Sequence, residues 1–201
     1  MIAIIDYDAG NLRSVEKALL ALGETPVITR NPEELLGADK VILPGVGSFG
    51  DAMGKLHQYG LVDVIRRVTA KGTPFLGICL GLQLLFESSS ESPGVGGLGI
   101  LPGRILKIPD SFGLKVPHVG WNSLEIRPGA ALFSGIPEGS YVYFVHSFYL
   151  EAEDPSIVAA TAQYGVNIHA SVERDNVFAC QFHPEKSGDV GLAILRNFIN
   201  L

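Results

Sequence analysis

The chain has 201 residues, 47% of them hydrophobic, and a formal net charge of −6. This length suits one hydrophobic core, so we expect a single domain over residues 1–201, and the negative charge, without a basic stripe, excludes nucleic acid as an expected partner. The apolar runs are too short to span a bilayer, and the start MIAIID does not have the pattern of a signal peptide. Two cysteines do not make a disulfide framework. We therefore expect a cytoplasmic protein with free thiols and no membrane contact.

The first half of the chain alternates apolar strands with helical patterns. Strands are predicted at 1–6, 25–29, 39–44 and 74–78, and helical segments at 11–23, 31–36, 48–58, 61–71 and directly after Cys79. Four strand–helix units in succession predict an α/β fold built on an open, doubly wound and mostly parallel sheet. The high hydrophobic content favours a sheet that is covered on both faces.

The second half changes character, because apolar segments follow one another with only short turns between them. Strands are predicted at 103–109, 115–126, 140–150, 156–165, 166–174 and 177–184, and a last helix at 187–200. The segment SSSESPGVGGLG (88–99) is predicted to be a flexible surface loop. We therefore expect added antiparallel strands in the second half, within the same domain.

A cysteine stands between two glycines in the segment GICLG (77–81), where a predicted strand meets a predicted helix. The pattern G-x-C-x-G has the form of a nucleophile elbow, in which the turn is too tight for side chains at Gly77 and Gly81. A helix N-terminus behind Cys79 helps to ionise the thiol and leaves N–H groups free for an oxyanion. The alternative is a buried cysteine that only packs.

The segment QFHPEKS supplies a base and an orienting group for such a nucleophile. Pro184 favours extended backbone, so His183 and Glu185 are expected to face the same way on an extended segment. The H-x-E spacing also occurs in zinc deaminases, but the C-x-x-C of those enzymes is missing, so we expect no metal. The alternative for His183 is an ordinary loop histidine. The other histidines make no better dyad: His57, His118, His146 and His169.

The glycines Gly45, Gly47 and Gly50 match the dinucleotide fingerprint G-x-G-x-x-G literally. However, they follow the third predicted strand, and no acidic residue lies about twenty positions further on, where a ribose partner belongs. We therefore expect no nucleotide cofactor. A Gly-Val-Gly loop beside the elbow is better suited to turn an N–H toward the oxyanion that forms when Cys79 attacks a carbonyl.

Taken together, Gly45-Val46-Gly47, GICLGLQ and QFHPEKSG resemble the triad-type (class I) glutamine amidotransferases, and the resemblance runs from residue 2 to the final helix. It implies a flavodoxin-like α/β fold. Within this family, KVPHVGWN (115–122), YFVHSF (143–148) and DYDAGNLRSV (6–15) resemble the glutaminase subunits of imidazole glycerol phosphate synthases.

The resemblance implies a thioester mechanism of glutamine hydrolysis. Cys79 attacks the side-chain carboxamide of glutamine, His183 acts as general acid and then as general base, and Glu185 fixes the imidazole. The oxyanion is expected to bind the N–H of Leu80 and an N–H from Val46–Gly47. No cofactor is implied.

Further residues match family positions that bind the amino-acid end of glutamine, namely Gln83, Ser147 and Phe148. Two of these positions have an ordinary alternative. Gln83 could be a solvated helix residue, and Phe148 could belong to the core.

The resemblance also implies a protein partner. Free ammonia in neutral water is almost entirely ammonium, which is no nucleophile, so its use requires a shielded route. The expected partner is a (β/α)8-barrel synthase subunit that makes imidazole glycerol phosphate and aminoimidazole carboxamide ribonucleotide in histidine biosynthesis. Trp121, Tyr143 and Lys186 match docking positions, and Asn11 is expected in a loop near this interface.

Three other functions stay open at this point. The chain could be a glutaminase that feeds a different synthase, such as one making anthranilate or a pyridoxal precursor. It could be a binding module with a vestigial triad. It could also be a cysteine peptidase or esterase built on a similar elbow.

Overall fold

An eight-stranded sheet forms the centre of the computed structural model, which describes residues 1–110 and 113–201. The strands are β1 (Ile2–Ile5), β2 (Val27–Thr29), β3 (Lys40–Gly45), β4 (Phe75–Cys79), β5 (Ser88–Ser89), β6 (Gly103–Lys107), β7 (His118–Ser123), β8 (Glu125–Ile126), β9 (Tyr141–His146), β10 (Phe148–Ala152), β11 (Val158–Tyr164), β12 (Val166–Arg174) and β13 (Val177–Cys180). The helices are α1 (Leu12–Ala21), α2 (Pro32–Gly37), α3 (Phe49–Gln58), α4 (Leu61–Ala70), α5 (Leu80–Leu84) and α6 (Gly188–Asn200). Short 3-10 helices in the described ranges include Ala131–Phe133, Pro155–Ile157 and Pro184–Lys186.

The strand order of the central sheet is β2-β1-β3-β4-β13-β12-β11-β8. Neighbours from β2 to β13 run parallel, whereas β12, β11 and β8 add antiparallel pairs at one side. The predicted α/β fold, with a mostly parallel sheet and added antiparallel strands, is confirmed. Because β4 and β13 are parallel neighbours, with Ile78 opposite Cys180, the residues that follow both strands meet at one sheet edge.

Both faces of the sheet are covered by helices. Leu43 and Phe75 point into a core with side chains from α3 and α4, while Ile42 and Ile78 point into a second core with side chains from α1 and α6. Successive strand residues face opposite sides, so a strand between two cores must be apolar throughout. This explains the uninterrupted apolar strands of the first half. No helix in the described ranges is long and apolar enough to cross a membrane.

Two of the predicted strands are broken into pieces. The segment 140–150 forms β9 and β10, which belong to different small sheets, β7-β9 and β10-β6-β5, and the chain changes sheet at Ser147. In the segment 115–126, the first strand begins only at His118. The pairing is interrupted at Leu124, whose N–H donates to the carbonyl oxygen of Ser140. The sequence pattern misses both breaks because Leu124 is buried and Ser147 and Phe148 are half-buried, while the hydrogen-bond partners of the backbone change.

The segment 88–99 is not simply a flexible surface loop. It contains β5, and both Ser89 and Leu98 are buried. The carboxylate of Glu91 accepts a hydrogen bond from the N–H of Phe49 at 2.8 Å, which attaches this segment to the start of α3. Its Ser- and Gly-rich composition predicted a loop, but the buried anchors override that composition.

Candidate active site

Cys79 is the last residue of β4 and immediately precedes α5, in a backbone conformation that side chains rarely adopt (φ 55°, ψ −109°). A Cβ atom at Gly77 would lie 2.8 Å from the carbonyl oxygen of Gly81. A Cβ atom at Gly81 would collide with the carbonyl oxygen of Leu43. The predicted nucleophile elbow is therefore present, and it requires both glycines.

His183 and Glu185 form an ion pair whose side chains are fully buried, with 2.8 Å between His183 Nδ1 and Glu185 Oε1. The contact was predicted for an extended segment, and that backbone prediction is wrong. β13 ends at Cys180, and Glu185 lies in the 3-10 helix Pro184–Lys186. Proline suits the first position of such a turn because its missing N–H would have no partner there. The turn, not strand alternation, brings the two side chains together.

The surroundings of His183 favour its protonated form. Burial alone would lower the pKa of His183, but the Cys79 sulfur and the Glu185 carboxylate together raise it to about 9. Within the described part of the chain, His183 Nε2 has no hydrogen-bond partner, so Cys79 lies within electrostatic reach but outside hydrogen-bond geometry. An imidazolium with a free N–H beside a sulfur can transfer that proton to a departing group.

A cavity of about 330 Å³ opens over the elbow. It is lined by Val46, Gly47, Cys79, Leu80, Gln83, Glu91, Pro117, Val145, His146, Ser147, Phe148 and His183. The structure thus brings the nucleophile and the base together with every residue predicted for the oxyanion and for the substrate. The loop Val46–Gly47 lies beside the elbow because Gly45 is opposite Cys79 in the β3–β4 register.

A family model for class-I glutamine amidotransferases matches residues 3–201. The chain belongs to the class I glutamine amidotransferase family. It is 53% identical over 202 residues to the imidazole glycerol phosphate synthase subunit HisH of Thermosynechococcus vestitus, covering 100% of this chain and 96% of that protein. It is 51% identical over 201 residues to the subunit of the same name from Methanocaldococcus jannaschii, covering 100% of both chains.

Solved structures of more distant proteins share the fold of this amidotransferase. A crystal structure described as glutamine amidotransferase superimposes with a TM-score of 0.78 at 23% identity, covering 100% of this chain and 98% of the other. The structure of PurLQS from Thermotoga maritima gives a TM-score of 0.78 at 23% identity, covering 99% and 97%. At these identities the likeness shows the fold alone.

Gln83 is buried in this amidotransferase rather than solvated, with 5% of its surface exposed. Its Nε2 donates to the carbonyl oxygen of Phe148 at 3.1 Å and to Gln181 Oε1 at 3.0 Å, so both amide hydrogens are used. Its side chain therefore cannot rotate freely. The ordinary alternative of a solvated helix residue does not hold.

Glu91 is a pocket residue that the sequence did not indicate. Among the described residues that line the pocket, it carries the one carboxylate. It lies within the Ser-rich segment 88–99, where an acidic residue suggests no more than a solvated loop. The contact of this segment with the start of α3 holds Glu91 at the pocket.

Asn11 lies in the turn that precedes α1, and its side chain points inward. It is 6% exposed, and its Nδ2 donates to Glu185 Oε1 at 3.3 Å. The same oxygen of Glu185 bonds His183. The two residues are 174 positions apart in sequence, so no local pattern could indicate this contact.

The exposed side of β7 and β9 carries aromatic residues. Trp121 is 55% exposed and packs edge-to-face on Tyr143, with 6.1 Å between ring centroids. The carbonyl oxygen of Tyr143 accepts a hydrogen bond from the N–H of His183, and the N–H of Tyr143 donates to Ser187 Oγ. Lys186, the last residue of the 3-10 helix that follows His183, is exposed. This surface is therefore connected directly to the backbone that carries His183.

His118 and His146 form a buried pair, of which His146 lines the pocket. His118 Nδ1 lies 3.0 Å from His146 Nε2, and His146 Nδ1 lies 2.8 Å from the Phe148 carbonyl oxygen, to which it must donate. The ring of His118 stacks between Phe144 and Tyr164. Burial lowers the pKa of His118 to about 4 and that of His146 to about 3.

This pair is expected to make the fold sensitive to acid. Because the folded pKa values lie below the ordinary value of 6.5, the unfolded chain binds more protons between pH 6.5 and about 3, and stability falls as pH falls through that window. We expect the free energy of unfolding to drop by about 2–4 kcal/mol from pH 7 to pH 5, measured by urea titration.

A double variant, His118→Gln with His146→Gln, should flatten this dependence. The matched control is His57→Gln, at an exposed position of α3, which should leave this dependence unchanged. A residual slope is expected from His169, whose pKa is also lowered by burial, and from His183, whose raised pKa acts in the opposite sense because its contribution to stability is complete only below about pH 6.5. Equal pH slopes in the wild type and the double variant would show that the pair does not control acid stability.

Proposed function

We propose that this amidotransferase is the glutaminase subunit of an imidazole glycerol phosphate synthase, with one domain over residues 1–201. The observation that carries the proposal is the strained Cys79 elbow, which lies in a pocket beside the buried His183–Glu185 pair. Identity of about half over the full length to subunits of that name supports the choice within the family.

Hydrolysis starts when the Cys79 sulfur attacks the carboxamide carbon of glutamine and a carbon–sulfur bond forms. His183 then gives its proton to the amide nitrogen, the carbon–nitrogen bond breaks, and ammonia leaves a thioester. In the second half His183 removes a proton from water, the resulting hydroxide attacks the thioester, and the sulfur leaves to give glutamate. Glu185 stabilises the imidazolium and holds Nε2 toward the reaction, because its Oε1 accepts from Nδ1.

The negative charge of each tetrahedral intermediate resides on the former carbonyl oxygen. The N–H of Leu80, the first residue of α5, and an N–H from Val46–Gly47 are the proposed donors. Gly47 has φ of 100°, a conformation that favours glycine, so its peptide orientation depends on the absence of a side chain.

The amino-acid end of glutamine carries one ammonium and one carboxylate group. The Glu91 carboxylate is the proposed partner of the ammonium group because it is the acidic group among the pocket's described lining residues. Gln83, Ser147 and Phe148 are proposed to form the wall that holds the remaining polar atoms. Of these, Gln83 is fixed by its two hydrogen bonds and provides a rigid surface.

The proposed partner is a (β/α)8-barrel synthase subunit, which forms a heterodimer with this chain and receives ammonia before water protonates it. Exposed Trp121, with Tyr143 and Lys186, forms the proposed docking surface, since exposed aromatic side chains and a backbone link to His183 suit an interface beside the active site. Asn11 is buried beneath this region, where its side chain bonds the carboxylate of Glu185. A cytoplasmic location is proposed because Cys79 must remain a free thiol, as both cysteines are here.

The test is glutamate release from glutamine by this chain mixed with such a barrel subunit, with and without the ribonucleotide substrate of the synthase. Release that requires the barrel, increases with the ribonucleotide and falls to background in Cys79→Ala is expected. No release from a complex shown to form by gel filtration would contradict the proposal. Release only with an anthranilate or pyridoxal-precursor synthase would assign the chain to another member of the family.

A further inference from the structure

Gln181 is a fully buried amide next to the nucleophile. It follows β13 directly, 0% of its surface is exposed, and its backbone N–H bonds the carbonyl of Ala170 at 2.8 Å. Its Nε2 lies 3.7 Å from Cys79 Sγ, within hydrogen-bond range for sulfur. In the part of the chain that the structure describes, this is the one side-chain hydrogen bond that Cys79 makes.

The orientation of the Gln181 amide is determined by its neighbours. Gln83 Nε2 lies 3.0 Å from Gln181 Oε1, and it also lies 3.1 Å from the carbonyl oxygen of Phe148. A carbonyl oxygen can only accept, so Gln83 must present its NH2 group to both atoms. The atom of Gln181 that faces Gln83 is therefore the oxygen, and its NH2 group must face the sulfur.

We propose that Gln181 is a further catalytic residue, whose amide donates a hydrogen bond to the Cys79 sulfur and stabilises its anionic form. The inference deepens the proposed glutaminase function and rests on it for its role in turnover. An anionic sulfur accepts a hydrogen bond far better than a thiol or a thioester sulfur, so the donor acts on the free nucleophile.

The amide network links the nucleophile to the substrate wall. The carbonyl of Phe148, which accepts from Gln83, also accepts from His146. Gln83 therefore donates one amide hydrogen to the Phe148 carbonyl in the pocket wall and the other to the side-chain oxygen of Gln181. A substrate that contacts this wall lies against the same rigid group that orients the donor to Cys79.

The test uses alkylation of Cys79 by iodoacetamide as a function of pH, in the isolated chain. Gln181→Met and Gln181→Leu both remove the donor, and Gln181→Met also keeps the length of the side chain. In both variants we expect alkylation at pH 7 to slow about three- to tenfold and the pH profile to move to higher pH, with an unchanged plateau at high pH.

All variants also carry Cys180→Ala, so that Cys79 is the one cysteine that can be alkylated. Burial already raises the pKa of Cys180 and keeps this thiol unreactive. Thermal melting shows which of the two variants is folded, and a purely structural role would change melting without moving the pH profile. A folded variant with the wild-type pH profile would overturn the inference. A shifted profile without glutamine hydrolysis by any wild-type complex would instead refute the proposed function and leave the sulfur contact in place.

Discussion

Replacement of Glu185 by glutamine is expected to lower the kcat of glutamine hydrolysis about 10²- to 10⁴-fold in the complex with the synthase partner. Glu185 Oε1 accepts from His183 Nδ1, while Oε2 has no partner in the described part of the chain. A glutamine can place its oxygen at Oε1 and its NH2 group at the unpartnered position, so the shape of the site is kept. The lost quantity is the negative charge that stabilises the imidazolium.

Asn11→Ala is the matched control for this variant. It removes the other hydrogen bond to the same oxygen, at 3.3 Å, while the carboxylate remains. We expect a loss of kcat of no more than about tenfold at saturating partner, the size of one hydrogen bond of ordinary strength. If Glu185→Gln retained activity within tenfold of the wild type, the carboxylate charge would not be needed for hydrolysis. If Asn11→Ala lost as much as Glu185→Gln, position rather than charge would dominate.

The features that could be predicted from the sequence are local ones. The parallel strands can be predicted because apolar segments alternate with segments of helical periodicity. The elbow can be predicted because all the residues that its tight turn requires lie within the five residues of G-x-C-x-G. His183 and Glu185 were paired correctly even though their backbone was not. Two residues that are two positions apart can meet on a strand or across a tight turn, and the sequence favoured the wrong one of these geometries.

The features that could not be predicted depend on distant contacts. Gln181 meets Gln83 across 98 positions, and Asn11 meets Glu185 across 174. The break at Ser147 moves the chain from one small sheet to another, although the side chains on both sides remain apolar. Hydrophobic periodicity reports which face is buried, but it carries no information about which strand supplies the hydrogen bonds.

Gly81→Ala is expected to lower the free energy of unfolding by about 3 kcal/mol or more. The added Cβ atom would collide with the carbonyl oxygen of Leu43, which belongs to the β3 backbone. Neither partner is a flexible side chain, so the collision is relieved only if α5 moves away from the sheet. That movement would displace Cys79, and we expect glutaminase activity to be lost together with stability.

Gly54→Ala is the matched control, because it makes the same chemical change at an exposed position of α3, where an added Cβ atom meets nothing within 4 Å. Alanine favours a helix over glycine by about 0.5–1 kcal/mol, so this variant should be as stable as the wild type or slightly more stable. Urea unfolding of both variants therefore separates a steric requirement from a general effect of replacing glycine. Equal stabilities would mean that α5 can shift without cost, and then neither the tight turn nor the strained Cys79 backbone would depend on Gly81.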